Sequence, residues 1–247
     1  MALTDKLTAI ANAIRAKSGT SDKMTLAELP NKIAAISTGN ATEPYIEETY
    51  DESGWLISAT LHGHTMVRAS LFYNCVKLAS ISLPTGIKAI GGSAFYGCTR
   101  LASISLPDSL TDIDVNAFYN CVKLASISLP TGLTHIGTSA FYNCSSLALI
   151  GLPDSLTAID NSAFYRCSSL ALTSFPAGIK TIGARSFSGC TSLETVTFKG
   201  TPTRIISSAF EDCTNLTTIN VPWAEGAVAN APWGATNATI NYNYTGV

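Results

Sequence analysis

The chain has 247 residues, 46% of them hydrophobic, and a formal net charge of −2. That is enough apolar material for a sizeable core, and the near-neutral balance excludes a general footprint for nucleic acid or an anionic membrane. No apolar run approaches the ~18–20 residues of a membrane span.

The opening stretch, MALTDKLTAIANAIRAKSG, carries polar or charged residues every few positions and lacks the uninterrupted apolar core of a secretory signal. The expectation is a chain that stays in the cytoplasm as synthesised, unless a dedicated machine or cell lysis releases it. Leu3, Leu7, Ile10 and Ile14 fall at helical spacing, with Gly19 as C-cap. Leu26, Leu29, Ile33 and Ile36 form a second stripe, starting at a capping box over Thr25–Glu28 or at Pro30. Residues 1–36 therefore read as an amphipathic helical hairpin too small to bury both stripes alone. It needs the end of the neighbouring domain, a tail component or another copy of itself. Residues 37–44 read as a linker. Next, YIEETY and WLISATL alternate on either side of Asp51-Glu52-Ser53-Gly54, which predicts a β-hairpin over 45–61 that caps the first repeat.

Residues 62–222 repeat every 23 residues. FYNCVKLASISLPTG stands at both Phe72–Gly86 and Phe118–Gly132, and the seven cysteines, Cys75 to Cys213, are each 23 apart. A period of this length around an LxxIxL core predicts an α/β leucine-rich-repeat solenoid of about seven repeats. In each repeat Leu78, Ile81 and Leu83, or their equivalents, point inward from a parallel strand that Pro84 ends. Gly91, Asp114, Gly137, Asp160 and Gly183 mark a turn, the glycines by left-handed permissiveness. A short helical turn then carries Ala94, Phe95 and Cys98 inward. Gly97, Asn120, Asn143 and Gly189 are expected to close it in the left-handed region. TG…IG turns alternate with DS…ID turns, so the finer unit is a pair of repeats. Regularity fades after Lys199, and Trp223, Trp233, Tyr242 and Tyr244 fit an aromatic C-terminal cap over 223–247.

No residue set supports catalysis, and none implies a cofactor or a metal. The cysteines form one column with parallel Cβ vectors, poor geometry for disulfides, and read as small buried hydrophobes. His64 stands in the row later held by Ile87 and Leu110 and reads as a partly buried, hydrogen-bonded structural residue; His135 reads as solvated. Two surface columns are candidates for binding. Ser80, Ser82, Ser103, Ser105, Ser126 and Ser128, with Leu172, Thr195, Thr218 and Asn220 further along, face out from the strands. They either stack well along a parallel sheet or form a platform for a glycan or protein. Tyr73, Tyr96, Tyr119, Tyr142 and Tyr165 each stand directly after a core Phe. They are either half-buried rings stacked between turns or a surface on which sugars stack.

With their Phe, Cys, Leu and Pro columns, residues 61–222 resemble the BspA-type leucine-rich repeats. That resemblance implies a non-enzymatic module of the kind found on bacterial surfaces adhering to host proteins or other cells. The flanks, LTAIANAIRAKSGTSDKMTLAELPNKIAAI and VPWAEGAVANAPWGATNATINYNY, resemble the ends of repeat proteins encoded among phage and prophage tail genes of gut bacteria. This implies a virion tail component that binds a receptor, with a cell-surface adhesin as the alternative. Deleting residues 1–40 is expected to leave the solenoid folded and to abolish self-association or tail docking. Light scattering checks it: a full-length protein that is already monomeric, with no change of state on deletion, rules out self-association.

Overall fold

The computed structural model describes residues 44–148 and 151–246. The expected helical hairpin over 1–36, and the linker apart from Pro44, lie outside the described residues. Tyr45–Tyr50 and Leu56–His62 run antiparallel, with Tyr45 opposite His62 and Glu48 opposite Ala59. Asp51 makes the connection, its Oδ1 accepting from the amides of Ser53 and Trp55 at 3.0 and 2.9 Å, and Gly54 sits at φ +76°. Leu56, Ala59 and Leu61 face the core. The strand Leu56–His62 then pairs in parallel with Ser80–Ser82, which fuses the hairpin to the first coil of the solenoid.

Each coil contributes three ladders. Short strands of the Ile-Lys-Ala-Ile type, from Met66–Val67 to Arg204–Ile205, make one parallel sheet of seven strands. The Leu-Ala-Ser-Ile strands make the second ladder, broken into shorter sheets. Across the break between Ser126–Ile127 and Ser174–Phe175 the amides of Ala148 and Ala171 donate to the carbonyls of Ala125 and Ala148, at 3.1 and 2.7 Å, continuing the bond from Ala125 to Ala102 at 3.0 Å. The third ladder is the turn that carries Phe and Cys. Its alternate amides have different destinations. Ser93, Phe95 and Gly97 donate to Val115, Ala117 and Tyr119 of the next coil, each at 2.8 Å. Ala94, Tyr96 and Cys98 donate back to Gly91, Ser93 and Phe95.

The solenoid of stacked parallel strands is as expected, but this alternation replaces the expected short helical turn. A helix returns every amide to its own chain four residues back, whereas here every second amide leaves for the neighbouring coil. Two left-handed residues per coil turn the chain so that it can do so. One is the expected position before Cys: Asn74, Gly97, Asn120, Asn143, Arg166, Gly189 and Asp212 lie at φ +55° to +73°. The other, four residues earlier, comprises Ser70, Ser93, Asn116, Ser139, Ser162 and Arg185 at φ +54° to +57°. Among the described residues there is no helix.

Inside, Phe72, Phe95, Phe118, Phe141, Phe164, Phe187 and Phe210 form one stack, with centroids 5.1–5.5 Å apart and planes within 15°. From the second ring on, the cysteine behind each ring points its thiol at the preceding coil. Cys98 Sγ donates to Phe72 O at 3.1 Å, and the same bond recurs through Cys213 to Phe187 O at 3.0 Å. The C-terminal segment, irregular in sequence, stays on the ladder. Thr239–Asn241 pairs in parallel with Thr218–Asn220, so the cap is itself a coil, two residues short. Trp233 is fully buried, its carbonyl accepting from Phe210 N at 2.9 Å and its Nε1 donating to Ala229 O at 2.8 Å.

The alternating turns have a physical basis that corrects the reading of the glycine column. Gly91, Gly137 and Gly183 do not have positive φ. They are glycine because a Cβ would meet the backbone of the preceding coil, at 2.7, 2.9 and 2.5 Å. Their amides reach that coil at 2.8–2.9 Å, against 3.0 Å for Asp114 and Asp160 in the intervening coils. At this corner the backbones of the glycine coils thus approach the coil before them closely, whereas the aspartate coils carry a side chain there. In the aspartate coils Ser109 and Ser155 also stand where the neighbouring coils have Gly86 and Gly132, and their hydroxyls donate to carbonyls of the coil before: Thr85 O and Ile87 O for Ser109, Leu133 O for Ser155, all at 2.6 Å. Gly183→Ala is expected to destabilise by ~1–3 kcal/mol through overpacking. Gly86→Ala, with nothing within 4 Å of the new Cβ, should be neutral or stabilise by up to ~1 kcal/mol. Chemical denaturation of the two variants checks the contrast.

Candidate binding face

All six candidate serines are exposed: Ser80 and Ser82 on one coil, Ser103 and Ser105 on the next, Ser126 and Ser128 on the third. Ser103 lies opposite Ser126 and Ile104 opposite Ile127, so hydroxyls face solvent while isoleucines fill the core. The hairpin extends the two columns by a strand, since Ser58 and Thr60 stand opposite Ser80 and Ser82. Sequence reasoning missed these two because the hairpin lacks the Phe and Cys that mark a repeat; the alternation in LISATLH was the signal. On the far side Thr195, Thr218 and Thr239 continue the first column in register. Two predicted members do not belong to this surface. Leu172 is buried and its neighbour Thr173 exposed, because in this coil the apolar side chain stands one residue early and takes the inward place. Asn220 is buried, with its Nδ2 donating to Thr197 Oγ1 and its Oδ1 accepting from Asn241.

The tyrosines make a separate ladder along the turns. Tyr73, Tyr96, Tyr119, Tyr142 and Tyr165 stack with centroids 4.4–4.8 Å apart and planes within 18°. The Arg166 guanidinium lies over Tyr165 at 5.4 Å. A sugar that stacks needs a free ring face, and the inner rings have given theirs to one another. Only the end ring, Tyr73, is largely exposed, at 48%. The column is therefore a stacked structural ladder that shows solvent its edges and hydroxyls. Burial, followed by the charges of Tyr142 and Tyr96, pushes the Tyr119 phenol up.

The histidines do not form a site. His62 stacks on Tyr45 at 4.4 Å, and its Nε2 is 3.5 Å from Glu47 Oε2. His64 is half-buried, but its Nε2 has no hydrogen-bond partner among the described residues, contrary to expectation. His135 is only partly exposed and pairs with Asp160 at 3.0 Å. Among the described residues, no three His, Cys, Asp or Glu side chains gather where they could hold a metal.

A repeat of 23 residues, parallel strands on two ladders and continuous Phe and Cys stacks define a leucine-rich-repeat solenoid. The chain belongs to the BspA-type leucine-rich repeat family, whose model matches it in six copies over residues 65–176 and 157–227. It is similar to the leucine-rich repeat protein TpLRR of T. pallidum, at 30% identity and a TM-score of 0.55, over 70% of this chain and 88% of that one. A leucine-rich cell surface protein of Faecalibacterium prausnitzii shares the fold at 22% identity and a TM-score of 0.52, over 72% and 70% of the two chains. No curated protein matches.

Burial raises the thiols of Cys98, Cys121, Cys144, Cys167 and Cys190, and pushes Cys213 from 9.0 to about 12. A raised folded-state value means that the folded chain holds its thiol protons while the unfolded chain releases them. The stabilisation is complete below pH 9, the unfolded value, and for Cys213 is lost as pH rises towards about 12. Melting temperature is therefore expected to hold from pH 7 to 8.5 and to fall above pH 9. A thiol-reactive dye should label the native protein slowly and the unfolded protein at all seven cysteines.

Proposed function

We propose that this chain is a non-enzymatic binding module, used as a phage or prophage tail-associated receptor-binding protein, with the serine-lined strands as its contact surface. The observation that carries this reading is the exposed register of small hydroxyls on a rigid parallel ladder. Neighbouring strands repeat at ~4.8 Å, so donors and acceptors recur along the solenoid axis in fixed positions. Such a surface suits an extended cell-surface glycan or a protein edge. The hydroxyls carry no charge, so each contact is weak, and affinity comes from several copies on one particle. Membership of the leucine-rich repeat family supports a binding role. The resemblance of both flanks to tail-encoded repeat proteins favours the virion over the cell surface.

Replacing Ser103, Ser105, Ser126 and Ser128 with Gln adds neutral bulk without touching Leu101, Ile104, Leu124 or Ile127 inside. Stability should shift by no more than ~0.5 kcal/mol per site, while adsorption to a panel of gut bacteria falls sharply. Unchanged adsorption would sink the serine face as the contact surface. Capture by host matrix proteins, with bacteria ignored, would replace the tail role by that of an adhesin.

A further inference from the structure

Beside the serine columns runs a row of cations. Lys77, Arg100 and Lys123 occupy one position in three successive coils, just before the inward leucines Leu78, Leu101 and Leu124. Arg100 and Lys123 are exposed and Lys77 is half-buried. Among the described residues none of the three forms an ion pair. The coil rise here is the spacing of the adjacent tyrosines, 4.8 and 4.6 Å, so like charges are held in register one coil apart. That arrangement works against folding. The fold does not ask for it either, because in later coils the same position is Ser146, Ser169, Ser192 and Asn215.

The carboxylates lie elsewhere. From the core Phe to the end of the first strand, residues 72–83, 95–106 and 118–129 contain no Asp or Glu. In these and the next coils Asp108, Asp112, Asp114, Asp154 and Asp160 all fall beyond the strand-ending proline, on the turn and second-strand side. A chain of net charge −2 thus carries a one-sign cationic strip, with two serine hydroxyls per coil alongside it.

We propose that this strip binds a linear acidic polysaccharide carrying a carboxylate on each ring. The ligand lies along the solenoid axis, with its charges against Lys77, Arg100 and Lys123 and its ring hydroxyls against the serines. One sugar advances its chain by a length close to the coil rise, so the axial spacing of the carboxylates matches that of the cations, and those on the facing side of the polymer meet them. A polysaccharide fits better than a nucleic acid, because the strip is short and the neighbouring tyrosines have no free inner faces for bases to stack on. This assignment rests on the serine face being the contact surface and names the ligand class for it.

The probes are polygalacturonate and alginate, with fully methyl-esterified pectin as the uncharged counterpart and polyphosphate as a charged non-sugar. The wild-type full chain should bind the two acidic polymers, less tightly as salt is added, and should not bind the ester. Changing Lys77, Arg100 and Lys123 together to Ser, the residue the fold itself uses in this column, should weaken binding about tenfold. Its melting temperature should stay level or rise. No binding of either acidic polymer, equal binding of the ester or of polyphosphate, or a marked fall in melting temperature would each overturn the proposal. If the triple Ser variant still adsorbs to bacteria while the Ser→Gln variant does not, the serine face binds but its ligand is not acidic.

Discussion

The structure depends on what happens to every second amide in the Phe-Cys turn. Because Ser93, Phe95 and Gly97 donate to the next coil rather than to their own, that segment forms a hydrogen-bonded ladder without being a strand. The bonds hold the Phe-Cys turns of successive coils in register, since an insertion within the turn would take its amides away from their acceptors. That register in turn puts Phe on Phe and Cys on Cys. The Phe72 carbonyl accepts from its own coil, through Cys75 N at 3.1 Å, and from the next, through Cys98 Sγ. A small side chain with a weak donor suits that place: it fills apolar space while reaching a carbonyl that would otherwise have one partner. The column that first suggests disulfides or metal is thus part of the packing between coils.

Much of this was legible in the sequence. Period, strand position, inward leucines and the Phe and Cys stacks come from spacing alone. The left-handed residue before each Cys was legible where it is Gly or Asn, residues that take positive φ at little cost. The second left-handed position was not, because Ser93 and Arg185 give no such signal, and a turn with two such positions was misread as a helical one. Gly91 shows the converse difficulty. Glycine serves both left-handed backbone and close approach, and only the coil packed beneath it shows that the second applies. Leu172 and Thr173 illustrate a local exchange that the period conceals, since column counting assigns the apolar residue to the outside.

For the candidate site, alternation was enough to place the serines on the outside. It could not show that Leu56–His62 would join the same surface, because a strand from outside the repeat has no column to be counted in. The tyrosine column was visible as a column, but whether a ring offers its face or its edge depends on how the neighbouring ring packs against it. Lys77, Arg100 and Lys123 were hidden by summation. A near-neutral total says nothing about charges sorted to opposite sides of one coil, and a solenoid sorts them strictly, since each sequence position maps to one place on its surface.

The alternation of glycine and aspartate corners has a consequence for how such a gene changes length. Near-identical repeats invite unequal recombination, which adds or removes whole coils. Removing one coil would bring Gly91 and Gly137, or Asp114 and Asp160, into adjacent layers. The first would set two close-approach backbones in succession, and the second would stack two carboxylates at one corner. Gain or loss of two coils at a time avoids both. A change of 46 residues, two coils at a time, lengthens or shortens the surface while every glycine corner keeps an aspartate corner as its neighbour.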